Sequence, residues 1–260
     1  MQENPSLIPH RSRLFVFLHP FTSYMVTNLT VGLTWPLFKI FNKTIAIGAE
    51  NIGEERNTVL LSNHQSMIDG FLIGFAAFFP RALWKPWLMP WHPAAYENFF
   101  ANPIMAWFSD NWKCIPVKPG RKDFGAMTRM ERALRIGVMT VFPEGTRSRD
   151  GRLLPPRSGI GYVMLKTRPR AIPICMEAMD ELLPVGHFFP RFFRTVMIYY
   201  GKPVDLSEFY GLEQTRETAQ ACIEKVFVSI HRQQKILKRY RRYRTYLLSK
   251  MPFYFRLYRP

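Results

Sequence analysis

The sequence predicts a single α/β domain, a mixed β-sheet flanked by helices, preceded by N-terminal helices that associate with a membrane. Three observations lead there. The chain has 260 residues, 47% of them apolar, which is enough for one full core. From about residue 43 to 232, short apolar runs alternate with helical segments, the order that builds α/β layers. Leu14 to Phe38 contains no Asp, Glu, Lys or Arg, a run longer than the about 20 residues a membrane helix needs. The domains are read accordingly as a membrane-associating helical segment at 1–42, a catalytic-type domain at 43–232 and a basic, aromatic tail at 233–260.

The elements follow in order. Arg11 and Arg13 precede the uncharged N-terminal run and Lys39 ends it. His19-Pro20, Thr22-Ser23, Thr27-Asn28 and Pro36 put polar groups and helix breaks through it, which favours two short helices lying in one leaflet over a clean span. An ordinary buried helical hairpin is the alternative. A cleaved leader fits less well, since no small-x-small site follows the run. Thr58 to Leu61 reads as a strand ending in Asn63-His64, followed by a helix from near Ser66, with Ser66 as its cap and Asp69 in its first turns. Ala82 to Met89 reads as a strand, and Pro93 to Phe108 as helical or loop material over a cleft. Trp112 to Val117 is a strand, and Lys118-Pro119-Gly120-Arg121 a basic turn. Asp123 caps a helix to about Ile136, with Met127, Met130, Leu134 and Ile136 inward. Gly137 closes it, and Val138 to Phe142 is a buried strand. A last helix runs from Glu213-Gln214-Thr215 to about His231, burying Ile223, Val226, Phe227 and Ile230.

Lysine and arginine outnumber acids 36 to 19, giving a net charge of +17. Such an excess implies an anionic partner: nucleic acid, a membrane surface or a phosphorylated substrate. Cys114, Cys175 and Cys222 are widely spaced with no C-x-x-C, which argues against a disulfide framework or a zinc site and for a reducing, cytosol-facing location. No acid–histidine cluster suggests a metal. His10, His19, His92, His187 and His231 belong to no motif, so surface or core roles are expected of them.

Two stretches carry chemistry. His64 and Asp69 are five positions apart, a spacing at which side chains of one helix point well away from each other. Across a strand-to-helix turn they can meet, with Asp69 accepting the Nδ1 hydrogen of His64 and leaving Nε2 as a base. Taken alone, such a pair is more often a satisfied structural contact. In Phe142-Pro143-Glu144-Gly145-Thr146-Arg147-Ser148, a strand runs into a turn presenting a carboxylate, a glycine, a hydroxyl and a guanidinium, and arginine's planar fork suits a phosphate. The ordinary alternative is a surface ion pair between Glu144 and Arg147.

Together, Asn63-His64-Gln65-Ser66-Met67-Ile68-Asp69 and Phe142-Pro143-Glu144-Gly145-Thr146-Arg147-Ser148 resemble the two signature motifs of the glycerolipid acyltransferase superfamily, the 1-acylglycerol-3-phosphate acyltransferases and their relatives. Ile115-Pro116-Val117, Ile172-Pro173-Ile174 and Arg157-Ser158-Gly159 are softer matches, and the resemblance covers about residues 45–205. It implies that His64 is the general base and Asp69 its orienting partner. It also implies that Glu144, Gly145, Thr146 and Arg147 bind the acceptor's glycerol and phosphate. Pro119 stands where the family's second motif has an arginine, so Lys118 or Arg121 would supply the second phosphate ligand. The implied reaction moves an acyl group from acyl-CoA or acyl-carrier protein, as co-substrate and with no cofactor, to the sn-2 hydroxyl of lysophosphatidate. The product would be phosphatidate, made in phospholipid biosynthesis.

Trp91-His92-Pro93-Ala94-Ala95, Lys113-Cys114-Ile115-Pro116-Val117 and the segment from Glu181-Leu182-Leu183-Pro184 to Phe189-Pro190-Arg191-Phe192 look like the tafazzin branch, which would make the chain a phospholipid–lysophospholipid transacylase. Thr146-Arg147 looks more like the phosphatidate-forming branch and weighs more, because it sits in the binding turn. An acyl-enzyme route is not favoured. Ser66 lies in no Gly-x-Ser-x-Gly elbow and Cys114 lies inside an apolar strand.

From His231 to Pro260 the chain carries ten Lys or Arg and no acid, interleaved with aromatics. This pattern suits an anionic membrane surface on the cytoplasmic face. A non-catalytic basic protein that binds membrane or nucleic acid is the reading outside the enzymes, and a solvated tail is the plain one. No nucleic-acid-binding motif is present, so nucleic acid is not expected as a partner. The expected partners are a lysophospholipid acceptor, an acyl thioester donor and the membrane.

Overall fold

The computed structural model describes residues 7–8, 10–118 and 123–250. In chain order the elements are α1 (Arg13–Lys39), β1 (Lys43–Ile47), β2 (Thr58–Ser62), α2 (Asp69–Phe78), β3 (His92–Ala95), α3 (Tyr96–Phe99), α4 (Pro103–Asn111), β4 (Cys114–Val117), α5 (Phe124–Ile136), β5 (Val138–Val141), α6 (Gly159–Thr167), β6 (Arg170–Glu177), α7 (Met179–Leu182), β7 (Thr195–Tyr200) and α8 (Arg216–Lys250). The main sheet has the order β1-β7-β6-β2-β5, parallel except where β7 pairs antiparallel with β6. It is the mixed sheet the sequence predicts.

β2 has parallel neighbours on both sides and is buried along its whole length, as expected of a strand covered on both faces. Its side chains alternate between two cores. Val59 and Leu61 join the apolar cluster under α5, α6 and α8, and Leu60 joins the one under α1, α2 and α7. The molecule is therefore layered, with α8 and α1 on opposite faces of the sheet. β3 and β4 form a parallel pair joined to the main sheet by a bridge between Trp91 and Met139.

Several expectations held. Asp123 Oδ1 accepts from Ala126 N at 2.9 Å and caps α5, within which Met130 and Leu134 are buried. Ile223, Val226, Phe227 and Ile230 form the inner face of α8.

Others are corrected. Ile136 is 47% exposed at the end of α5. Residues 82–89 are not a strand but lie in two 3-10 turns, Arg81–Leu83 and Pro86–Leu88; Pro86 lacks the donor a central strand requires. Pro93 lies in β3 rather than in a helix or loop. α2 starts at Asp69, and Ser66 does not cap it. The last helix continues past His231 to Lys250.

The N-terminal run is one 27-residue helix rather than two short ones. The polar residues that read as interruptions lie on one face at spacings of four. His19 Nε2 lies 2.9 Å from Asp110 O, while Ser23 Oγ and Thr27 Oγ1 donate to Asn111 O at 2.8 and 3.1 Å. Ser23 and Thr27 satisfy the Asn111 carbonyl at the end of α4, while the Asp110 carbonyl also accepts from Lys113 N, and this docking holds the helix past Pro20. The opposite stripe, Leu14, Phe17, Phe21, Met25, Leu29 and Leu33, is exposed. By length and composition α1 is long and apolar enough to cross a membrane.

Candidate active site

β2, β5 and β6 run parallel, so their C-terminal ends share one edge of the sheet, the edge at which open α/β sheets hold ligands. His64 follows β2 there. Its neighbours in sequence anchor it, because in an extended segment residues 63 and 65 point away from 64. Asn63 Oδ1 accepts from Met176 N at 2.7 Å and its Nδ2 donates to Met176 O at 3.0 Å, clamping the loop to β6. Gln65 Oε1 accepts from Met179 N at 3.1 Å.

Asp69 is fully buried at the first position of α2. Its Oδ2 sits 2.9 Å from His64 Nδ1 and accepts from the amides of Gln65 at 2.7 Å and Ser66 at 2.9 Å. Two main-chain donors thus fix the carboxylate, and the carboxylate orients the ring. With Nδ1 donating, Nε2 carries the lone pair and has no partner among the described residues. The ring also stacks on Phe142, with centroids 4.0 Å apart and planes 12° from parallel.

The second turn leaves β5 and is tied directly to the first: Ser148 N donates to His64 O at 2.7 Å. Gly145 N donates to Phe142 O at 3.0 Å, and Gly145 has φ +70°, a left-handed conformation that favours glycine. A Cβ there would meet the Arg157 side chain at 3.2 Å. The structure thus brings Arg157 over the turn, a neighbour that sequence spacing did not single out as a site residue.

Glu144 is 2% exposed, and neither carboxylate oxygen has a hydrogen-bond partner. Burial pushes its pKa up to about 7, the nearby amides of Leu154 and His64 offsetting only part of that. Arg147 is half-buried and makes no ion pair among the described residues, so the surface ion pair between the two is absent. Gly145 and Thr146 are exposed.

Lys118 leaves β4 exposed, its Nζ 5.9 Å from the centre of the Tyr96 ring. It makes no hydrogen bond or ion pair with Glu144–Arg147 in the structure. Arg121 lies outside the described residues. Cys114 is buried, and its thiol is pushed up to about 12 by desolvation, which removes it as a nucleophile. Among the described residues no group of three or more His, Cys, Asp or Glu could hold a metal ion.

Glu144 makes a pH-dependent contribution of predictable sign. The folded protein keeps this proton up to about pH 7, whereas the unfolded chain releases it near the ordinary glutamate value. In the window between, the native state binds more protons, so stability falls as pH rises. Glu144→Gln, which cannot ionise, should remove that decline: its Tm relative to the wild type should rise between pH 4.5 and 7 and level off above. Parallel melting curves across that range would refute the assignment.

Comparison with known proteins shows the family and the fold. The acyltransferase family model matches residues 43–177. A chloroplastic 1-acyl-sn-glycerol-3-phosphate acyltransferase of Arabidopsis thaliana is 27% identical over 172 residues, 65% of this chain and 43% of that one. The Salmonella typhimurium 1-acyl-sn-glycerol-3-phosphate acyltransferase is 27% identical over 176 residues, 67% of this chain and 66% of its own. The chain spans about two fifths of the length of the chloroplastic relatives. A crystal structure of the 1-acyl-sn-glycerophosphate acyltransferase PlsC of Thermotoga maritima shares the fold, with a TM-score of 0.60 at 22% identity, over 88% of this chain and 83% of that one. The matched region contains both strand-end turns, from His64 to the Glu144–Arg147 segment, and the chain belongs to the acyltransferase family.

Proposed function

We propose that the protein transfers a fatty acyl group from a thioester donor to the sn-2 hydroxyl of lysophosphatidate. The observation that carries the reading is the His64–Asp69 pair, 2.9 Å apart, with Nε2 unpartnered and the Glu144–Arg147 turn tied to the His64 carbonyl through Ser148. A family of enzymes whose named relatives act on 1-acyl-sn-glycerol-3-phosphate supports the choice of acceptor.

In this mechanism the acceptor hydroxyl is the nucleophile. Imidazole, with an ordinary pKa near 6.5, does not deprotonate an alcohol outright. His64 Nε2 takes the proton as the hydroxyl oxygen bonds to the thioester carbonyl carbon, and the proton then passes to the departing thiolate as the C–S bond breaks. Asp69 keeps the imidazole in the required tautomer and steadies the imidazolium. Arg147, without a carboxylate partner among the described residues, is open to a phosphate. Glu144, buried with a pKa raised to about 7, is half protonated at that pH and predominantly neutral below it. In that neutral form it does not repel a phosphate held beside it, and a glycerol hydroxyl could reach it only if the turn opens. Lys118 and Arg121 remain the candidates for a second phosphate contact, on the grounds given by the motif they follow.

We place the protein on a membrane through the outward apolar stripe of α1, with the cytoplasmic face as the proposed side. The domain boundaries at 42 and 232 remain part of this reading, although α8 crosses the second without a break.

The test is acyl transfer by the detergent-solubilised protein, with lysophosphatidate or lysophosphatidylcholine as acceptor and acyl-CoA, acyl-carrier protein or intact phospholipid as donor. Phosphatidate from a thioester donor is the expected result. Transfer from phospholipid without thioester would assign the protein to the transacylase branch instead. In the same assay Arg147→Ala should raise the lysophosphatidate KM about tenfold or more with little change in kcat, the signature of a contact held equally in ground and transition states. Unchanged preference for phosphorylated over unphosphorylated acceptors would take Arg147 out of that role.

A further inference from the structure

The second half of α8 is a built wall rather than a loose tail. Leu237 is fully buried, Gln233 Nε2 donates to Pro173 O at 3.0 Å, and Arg244 Nη1 donates to Thr195 Oγ1 at 3.0 Å. At spacings of three and four, Lys238, Arg241, Arg242 and Thr245 share one face. With Glu177 they line a groove of about 590 Å³. Arg241 is consumed internally, bonded to Glu177 and Glu181. Lys238 and Arg242 form no ion pair among the described residues; Lys238 lies close enough to Glu177 to favour its charged form, and Arg242 is exposed, so the groove carries more cationic charge than Arg241 alone supplies.

The groove adjoins the catalytic edge. Glu177 follows Met176, whose backbone holds the Asn63 side chain next to His64. Gln234, one turn before Lys238, donates to Gly151 O at 2.9 Å, and the Gly151 backbone lies against Gln65. Along the helix, Lys238 and Arg242 are about 6 and 12 Å beyond Gln234. α8 lies on the sheet face opposite α1, so these cations are in a different layer from the outward apolar stripe. That position suits the anionic end of an elongated soluble molecule better than a lipid headgroup.

We infer that this groove binds the phosphate-bearing end of the acyl donor, a phosphopantetheine thioester whose uncharged arm runs along the sheet edge from Lys238 and Arg242 to His64. The inference rests on the acyltransferase reading above and adds the donor's seat to it. Phosphopantetheine phosphate is common to coenzyme A and to an acyl-carrier protein, and the groove recognises that shared group.

The experiment compares the wild type with the double variant Lys238→Gln, Arg242→Gln, using acyl-CoA, acyl-carrier protein and an acyl-N-acetylcysteamine thioester that has no phosphate. The variant should raise KM about tenfold or more for the phosphorylated donor the enzyme uses. It should leave kcat, the lysophosphatidate KM and the KM for the phosphate-free thioester unchanged. Lys238→Arg, Arg242→Lys should retain donor affinity. Whichever phosphorylated donor loses affinity is the one seated in the groove. Equal effects on all thioesters, or none on any, overturn the inference. Weakened binding to phosphatidylglycerol-containing vesicles with intact donor KM also overturns it, assigning the cations to headgroups. If the wild type acylates no acceptor from any thioester, the acyltransferase reading fails on its own. Calorimetric titration of the full chain with coenzyme A and with adenosine 3′,5′-bisphosphate then decides the groove. Binding to the wild type that the double variant loses supports it, and absence of binding to the wild type overturns it.

Discussion

His64→Ala should lower kcat for acyl transfer by about 10² to 10⁴, the range over which a positioned general base accelerates proton transfer. KM for both substrates should change little, because the imidazole acts on a proton that moves only in the transition state. The fold should survive. The His64 side chain is 20% exposed, and the loop is held by groups the substitution leaves in place: Asn63 on Met176, Gln65 on Met179 and the Ser148 amide on the residue-64 carbonyl. Asp69→Asn gives a second reading of the same device. It keeps the shape but can present an amide nitrogen where the Gln65 and Ser66 amides and His64 Nδ1 need an acceptor, so it should lower both activity and Tm. A well-folded His64→Ala protein with near-normal kcat would remove the base assignment and leave positioning alone to explain any turnover.

The site was more legible in the sequence than the elements around it, for a physical reason. A histidine and an aspartate five apart can meet only across a turn, so the residue spacing already contains the strand-to-helix geometry that the structure displays. The Phe142-Pro143-Glu144-Gly145 run likewise announces its turn through a glycine that the structure holds at φ +70°. The burial of Glu144 is not readable in the sequence, because it depends on the loop that carries Leu154 and on the His64 backbone, eighty positions away, lying beside it. In the sequence Pro20 and Pro36 signal breaks in α1 because they act locally, whereas the docking of His19, Ser23 and Thr27 on the end of α4 is a contact about 90 positions away. The apolar pattern of α8 stops near His231 because its inner face changes from apolar to polar. Leu237 continues the stripe, but Gln233, Arg241 and Arg244 occupy positions where an apolar residue would have marked a helix, and they bond to Pro173, Glu177, Glu181 and Thr195 instead. The 3-10 turns at 81–88 were within reach, since Pro80, Pro86 and Pro90 punctuate that stretch.

A close helix contact in the α5/α6/α8 layer makes Gly161→Ala an expected strongly destabilising mutant. A Cβ at Gly161 would stand 2.1 Å from Ala219 O, 2.7 Å from Ala219 C and 3.0 Å from Ala219 Cα. All three are backbone atoms of α8, so no rotamer change relieves the clash, and α6 and α8 must separate. Overpacking of this kind costs about 1–3 kcal/mol and occasionally more, while the better helix propensity of alanine returns at most about 1 kcal/mol. The net loss corresponds to a Tm lower by roughly 2–4 °C per kcal/mol for a domain of this size. Gly159→Ala, two residues earlier on the same helix, is the control, because a Cβ there meets nothing within 4 Å; its Tm should equal or exceed that of the wild type. Since α8 also carries Gln234 to Gly151 and forms the wall of the basic groove, displacement at Gly161 should raise the donor KM more than the acceptor KM. A Gly161→Ala protein as stable as the Gly159→Ala control would mean that the two helices do not meet through Gly161 and Ala219, and the tight α6–α8 packing that seats the groove would have to be abandoned.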